Sequence, residues 1–353
     1  MQNRSLHIEF ARICCALLVI TTHVLNRFYL DESRNLRDSV CLLSTFCIVA
    51  VPCFLMITGF FSRKGQPWLP KLKKTFLSIV CPTFFVIILS VATFKWITHS
   101  ASLRESILSA DYRNILTACL SWQINSLPGC SHLWYIPALC RLMLIFPLLS
   151  YLCSEDKYAT AARRGLYLLY ALSVFWYDLQ QIIHLPNVYF YNLIDSRILF
   201  FLLGYEFNTF DYTKLSVWIW SVITFVGCML MYIMTRCQFA VTGSFTDFFY
   251  HYQTIPCMIA SFGCFGFFLS LPIQNLSEKA KNCIFYLAKQ TWYVYLLHVM
   301  VLNFFRSGKL GTYTSLPGLA LLIFAVAIVS FLAAIFVNTM ISLFRKRPSF
   351  ART

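Results

Sequence analysis

The chain has 353 residues, of which 59% are hydrophobic and 12% charged, with 34 Phe against 12 Gly and a formal net charge of +15. So apolar a composition excludes a soluble protein of this length, and the lack of alternating ten-residue strands excludes a transmembrane barrel. The positive charge raises nucleic acid as a partner, but the cations sit in alternate loops between long apolar runs, which is the pattern of a membrane protein.

About 20 apolar residues suffice to cross the hydrocarbon at roughly 1.5 Å per residue. On that rule the sequence predicts an all-α polytopic membrane protein, a bundle of about ten transmembrane helices over residues 8–29, 40–62, 75–97, 132–153, 164–183, 191–208, 215–235, 253–271, 284–305 and 317–343. Asp178, Asp195, Arg197 and Glu206 interrupt the fifth and sixth. The first segment is too long for a cleavable signal peptide and holds its cation inside itself.

With the N-terminus in the cytoplasm, Arg4, the cluster Arg63, Lys64, Lys71, Lys73 and Lys74, then Lys157, Arg163, Arg164, Lys214, Lys279, Lys281, and finally Arg345, Lys346, Arg347 and Arg352 fall inside. Arg27, Arg34, Arg37, Arg104, Arg113, Arg236, Arg306 and Lys309 fall outside. The first group outnumbers the second two to one, which places both termini in the cytoplasm.

Nothing divides residues 1–353 into separate domains: there is no Gly/Ser linker, low-complexity run or internal repeat. Within this single transmembrane domain, residues 98–131 form the longest non-spanning stretch. Ile107, Leu108, Ile115, Leu116 and Leu120 recur there at helical spacing. They predict an amphipathic helix that either lies on the outer face or folds back into the bundle.

The 15 cysteines include no C-x-x-C pair, so no metal is expected, and most behave as small hydrophobes within helices. Cys119, Cys130 and Cys237 fall on the outer side, where a disulfide is chemically open.

Ionisable residues inside a membrane are costly, so each is a functional candidate. The first segment reads "RICCALLVITTH" over residues 12–23. On an α-helix the eleven steps from Arg12 to His23 make three full turns plus about 20° and rise roughly 16 Å, so both side chains face one way. Glu9 lies one turn below Arg12, close enough to pair with it. The alternative is that Arg12 snorkels to the headgroups and His23 hydrogen-bonds a neighbouring helix. His298 in "YVYLLHVM" lies about as far from the start of its segment as His23 does from its own, and His132 in "SHLWYIP" opens the fourth segment from the outside. Every histidine except His7 then falls in the outer half or beyond it, which points to a polar cavity reached from that face. A packing or interfacial role serves either His132 or His298 equally well.

Five stretches resemble the acyltransferase type three family of membrane-bound acyltransferases. "IEFARICCALLVITTH" follows its acid, x-x, Arg, ten residues, His pattern; "VPCFLMITGFF" is similar to its V-P-x-F-F-x-x-S-G-Y; "SHLWYIPALCRLMLIFPLL" to its H-L-W-F helix ending in Pro; "FFLLGYEF" and "WYVYLLH" complete the set in the family's order. In size and layout the chain resembles the bacterial inner-membrane O-acetyltransferases that modify surface glycans. It departs from the pattern in Glu9 where Asp is usual, Cys53 for an aromatic, Thr58 for Ser, and Arg141 within the fourth segment, which either lines the cavity or pairs with Glu206.

The resemblance implies transfer of an acyl group, usually acetyl, from cytoplasmic acetyl-CoA to a hydroxyl of a glycan or a polyprenyl-linked glycan such as O-antigen, common antigen or capsule. It puts the essential histidine on His23 and its paired arginine on Arg12. His23 serves as general base in direct transfer, or carries the acyl group itself. Glu9, His132 and His298 complete the catalytic candidates. The family's Arg-x-x-Arg pair is matched in "SRKGQPWLPKLKKTF" by Lys71 and Lys74, which attract phosphate as point charges without the bidentate fork. Trp122, Trp134 and Tyr135 near the outer mouth stack on sugar rings or form an interfacial belt. The competing class is a transporter or flippase of lipid-linked sugars, which commonly shows paired halves with broken helices; a glycan polymerase is a third.

Overall fold

The computed structural model describes residues 5–26, 34–99, 102–182, 195–243, 247–307 and 315–346. Among them the chain is helical and has no strand. Of the cations assigned to loops above, Arg4, Arg27, Lys309, Arg347 and Arg352 lie outside the described residues. The helices are α1 (Leu6–Leu25), α2 (Arg34–Cys47), α3 (Ala50–Phe60), α4 (Trp68–Thr75), α5 (Cys81–His99), α6 (Leu103–Leu108), α7 (Tyr112–Leu120) and α8 (Tyr135–Leu144). They continue as α9 (Phe146–Leu152), α10 (Lys157–Ile182), α11 (Ser196–Thr209), α12 (Val217–Thr242), α13 (Ile255–Ser270), α14 (Glu278–Ala288), α15 (Thr291–Ser307) and α16 (Leu316–Lys346).

Among the described residues six stretches are long and apolar enough to cross a membrane: Leu6–Leu25, Leu36–Phe60, Trp68–Thr98, Val217–Thr242, Phe248–Asn275 and Leu316–Leu343. A seventh is the pair α8 and α9, bent by 68° at Ile145, where Pro147 in the first turn of α9 has no N–H to continue the ladder. The other three expected segments hold helices that do not meet this criterion. Helix α10 carries Arg163, Arg164 and Asp178; α11 has 14 residues, and 191–194 lie outside the described residues. Residues 284–305 are not one helix, because α14 stops at Ala288 and the Thr291 hydroxyl caps back onto the Ala288 carbonyl at 2.9 Å.

The chain divides into two compact units, each made of two sequence segments: unit 1 is Met1–Ile79 with Ala138–Leu276, and unit 2 is Val80–Pro137 with Ser277–Thr353.

In unit 1, α3 and α11 cross with their backbones touching. A Cβ on Gly59 would lie 1.7 Å from the Phe201 carbonyl oxygen, and one on Gly204 would lie 2.0 Å from the Met56 oxygen. Helices α12 and α13 approach in the same manner at Gly227 and Gly263. Small residues at such crossings let helices gain dispersion contacts that lipid cannot supply. Helix α1 packs on α3 and α13. Its first turn lies beside the C-terminal ends of both: His7 Nε2 sits 2.8 Å from the Leu271 carbonyl, Phe10 meets Phe268, and Phe60 meets Phe265. At the opposite end of the unit, α2 is joined to the turn Phe248–Tyr250 that precedes α13 by the Tyr250 hydroxyl, which donates to the Cys41 carbonyl at 3.0 Å.

Arg163, expected as a loop cation, is buried. Its Nε donates to Glu206 Oε1 at 2.7 Å, while Nη1 donates to the carbonyls of Leu152 and Ser154 at the C-terminal end of α9. One guanidinium thus satisfies helix-end acceptors and ties α9, α10 and α11 together. Arg163→Met should lower unfolding stability by about 3 kcal/mol, the low end for a broken buried pair, because Glu206 is 37% exposed and can rehydrate. Thermal melts in detergent check this, and Glu206→Gln should cost less.

In unit 2, Ile87, Val91, Ile115, Leu127, Leu133 and Leu296 form the core. The stretch 98–131 forms two short helices where one was expected. Ser102 and Glu105 make a capping box that starts α6, and Asp111 caps a new start at α7. Ile115 and Ala118 turn into the core, whereas Leu108, Leu116 and Leu120 are exposed. Helix α16 packs along α15 and is pinned by Asn338 Nδ2, which donates to Gln290 Oε1 at 3.0 Å.

Candidate active site

Helix α1 runs unbroken from Leu6 to Leu25, so the helical spacing of its polar residues holds over the full stretch. Arg12 Nη1 donates to both oxygens of Glu9, at 3.1 and 3.3 Å. Glu9 is only 2% exposed, and a buried carboxylate one turn away fixes the direction of the guanidinium.

Around the helix, Ile8, Cys15 and Val19 lie on one side of the Arg12 and His23 directions, with Glu9, Ala16 and Ile20 on the other. None of these six is more than 8% exposed. Arg12 and His23 therefore occupy the middle of the stripe that α1 turns inward. Even so, the Arg12 side chain is 30% exposed and His23 is also partly exposed. Leu17, on the opposite side, is exposed, whereas Phe10 there packs on Phe268 and Leu25 is buried. The inward face of α1 thus carries an oriented cation and, about 16 Å along the axis, an imidazole, both partly exposed while the helix around them is packed.

The basic stretch after α3 is anchored on α8 and α9. Trp68 Nε1 donates to the Met143 carbonyl at 2.9 Å, the Lys64 amide to the Cys153 carbonyl at 3.1 Å, and Ser150 Oγ to the Arg63 carbonyl at 3.1 Å. Lys71 is held inward, its ammonium 3.5 Å from the Phe146 ring centroid and donating to Gln66 Oε1 at 3.0 Å. Lys73 and Lys74 are exposed on α4. The two lysines that match the family's arginine pair are therefore in different states, one packed on an aromatic ring and one presented to ligands.

His132 and His298 belong to unit 2 and are brought together there. Their ring centroids are 5.0 Å apart and nearly perpendicular, and each residue is 1% exposed. His298 Nδ1 lies 2.8 Å from the Tyr295 carbonyl, which fixes the proton on that nitrogen and makes Nε2 the basic one. The Tyr295 hydroxyl donates to the His132 carbonyl at 2.7 Å, and its ring stacks on Trp292. The equal depth expected for His23 and His298 counted from an unbroken helix starting at 284. Because α15 starts at Thr291, that count does not carry over.

Arg141 is exposed on α8, and Glu206 is taken by Arg163. Sequence reasoning missed both Arg163, counted among loop charges, and Tyr295, whose signal was its place one turn before His298 in "YVYLLH". All fifteen cysteines, Cys119, Cys130 and Cys237 among them, are free thiols.

A family model described as an acyltransferase domain, that of the acyltransferase-3 family, matches residues 6–338. No curated protein and no solved structure matches the chain.

Proposed function

We propose, from the premise that this chain belongs to the acyltransferase-3 family whose model spans nearly all of it, that it is an O-acetyltransferase of the bacterial inner membrane. In this reading acetyl-CoA is the donor, and the acceptor is a hydroxyl of a surface polysaccharide or of its polyprenyl-linked precursor. The single observation that carries the proposal is the placing of Arg12 and His23 on one inward stripe of α1, both partly exposed, with Glu9 orienting the arginine.

Arg12 receives the phosphates of coenzyme A, with Lys74 adding field at the same mouth and Lys71 held back by Phe146. The roughly 16 Å from Arg12 to His23 suits the pantetheine arm, which lays the thioester near the imidazole. His23 takes the proton of the acceptor hydroxyl as its oxygen attacks the thioester carbonyl. The C–S bond then breaks, and the thiolate leaves with that proton. His132 and His298, packed with Tyr295 within unit 2, are further proposed catalytic residues. Ten spans with both termini in the cytoplasm, three of them in helices that are short, broken or charged, complete the topology.

The test is transfer of labelled acetyl from acetyl-CoA to surface glycan in membranes containing the protein. Arg12→Gln should raise KM for acetyl-CoA about ten- to a hundredfold, the equivalent of one charge-assisted contact, with a smaller change in kcat. Label that stays on coenzyme A in wild-type membranes supplied with acceptor would sink the reading.

A further inference from the structure

The geometry points to a second anion site in unit 1, at the end opposite Arg12, where Arg37 and Arg236 take the carboxylate or phosphate of an acidic acceptor. The Arg37 guanidinium carbon lies 4.7 Å from the ring centroid of Phe239, and that of Arg236 lies 5.5 Å from the same centroid. Two cations from different helices, α2 and α12, thus converge on one aromatic ring. Asp38 is the carboxylate between them, and it accepts from Arg236 Nη1 at 2.6 Å. The shared ring and the ion pair place all three charged groups in one small volume with a net charge of about +1.

A ring face offsets the repulsion of two guanidiniums only weakly. Asp38 satisfies Arg236, whereas Arg37 Nε is shielded from solvent and makes no hydrogen bond among the described residues. Arg236 and Asp38 are 25% and 28% exposed, and Arg37 is also partly exposed, so a ligand can reach the group. The terminal nitrogens of Arg37 are also unclaimed among the described residues, and a guanidinium fork beside a second guanidinium is the chemistry that receives a planar carboxylate or a phosphate bidentately. Some 16 residues of α12, about 24 Å, separate Arg236 from Trp220, which packs against Phe207 at the Arg12 end. The site is therefore on the far side of unit 1 from the place proposed for coenzyme A. The identity of its ligand as an acceptor rests on the reading under Proposed function; the anion site itself does not.

The experiment is equilibrium binding to the full chain in nanodiscs of zwitterionic lipid at low salt, with inorganic phosphate, glucuronate and a polyprenyl phosphate as probes. Wild type should bind at least one probe, Arg37→Gln should weaken it at least tenfold, and Arg37→Lys should retain part of the affinity. Asp38→Asn removes the competing carboxylate and should tighten binding severalfold. Stronger binding of glucuronate assigns the site to a sugar acid, and stronger binding of polyprenyl phosphate assigns it to the lipid carrier. Equal binding by wild type and Arg37→Gln with matching melting temperatures, or weaker binding by a folded Asp38→Asn, would show a structural clamp and overturn the site. No acetyl transfer enters this assay, so its failure is separate from a failure of the acyltransferase chemistry.

Discussion

His23→Ala is expected to lower kcat for acetyl transfer by about 10²- to 10⁴-fold, the usual contribution of a positioned general base, with little change in KM for acetyl-CoA. The split follows from the geometry of α1. The coenzyme's phosphates meet Arg12 about 16 Å away along the helix, so removing the imidazole leaves that contact in place. Alanine is a better helix former than histidine, and His23 lies in the last turn of α1, so the fold should tolerate the change. His23→Gln keeps a polar side chain of similar reach that cannot accept a proton at neutral pH, and it should be as inactive as His23→Ala. Full activity of both variants, with loss instead on His298→Ala, would move the base to unit 2 and remove the stripe on α1 from the mechanism. A variant that lost activity together with its melting transition would point instead to a packing role for His23.

The second large effect is expected at the α3 and α11 crossing. Gly204→Val and Gly59→Val should each destabilise the protein by more than about 3 kcal/mol, beyond the usual range for overpacking, and cut the yield of folded protein in membranes. Each added Cβ would meet a backbone carbonyl, at 2.0 and 1.7 Å respectively, and a backbone cannot swing aside as a long side chain can. The helices would have to separate, which breaks contacts along their shared length. Gly165 on α10 is the matched control. Nothing lies within 4 Å of where a Cβ would sit on that residue, so Gly165→Ala should be neutral or gain up to about 1 kcal/mol from helix propensity. Melting curves by fluorescence-detected size exclusion read all three. A normal melt for Gly204→Val would refute the close crossing. The two valine variants should not be additive, because the first already parts the helices.

Much of this was legible in the sequence, and the gaps have physical causes. Helix α1 was readable because one period governs it from end to end, so the distance from Arg12 to His23 in the chain fixes their relation in space. The same logic failed between residues 284 and 305, where Lys289, Gln290 and Thr291 interrupt two apolar runs, and Gln290 and Thr291 bond back into the preceding turn. Hydropathy averages over such a break. The partner of Glu206 was also out of reach, because Arg163 reads as a loop cation beside Arg141 in its apolar segment, and only the fold decides which helix end lies beside α11. The glycines of "ITGFF" and "LLGYEF" could be seen as matching motifs, but that they meet each other is a long-range fact that no local pattern carries.

The interleaving of the two units bears on biosynthesis. Gly59 leaves the ribosome well before Gly204, and at about 5–20 residues per second the gap is roughly seven to thirty seconds. Throughout that interval α3 sits in the bilayer without the helix it is shaped to meet, and α1 has yet to receive α13 against Phe10. Nascent chains halted in this window should be the ones that quality-control proteases recognise first.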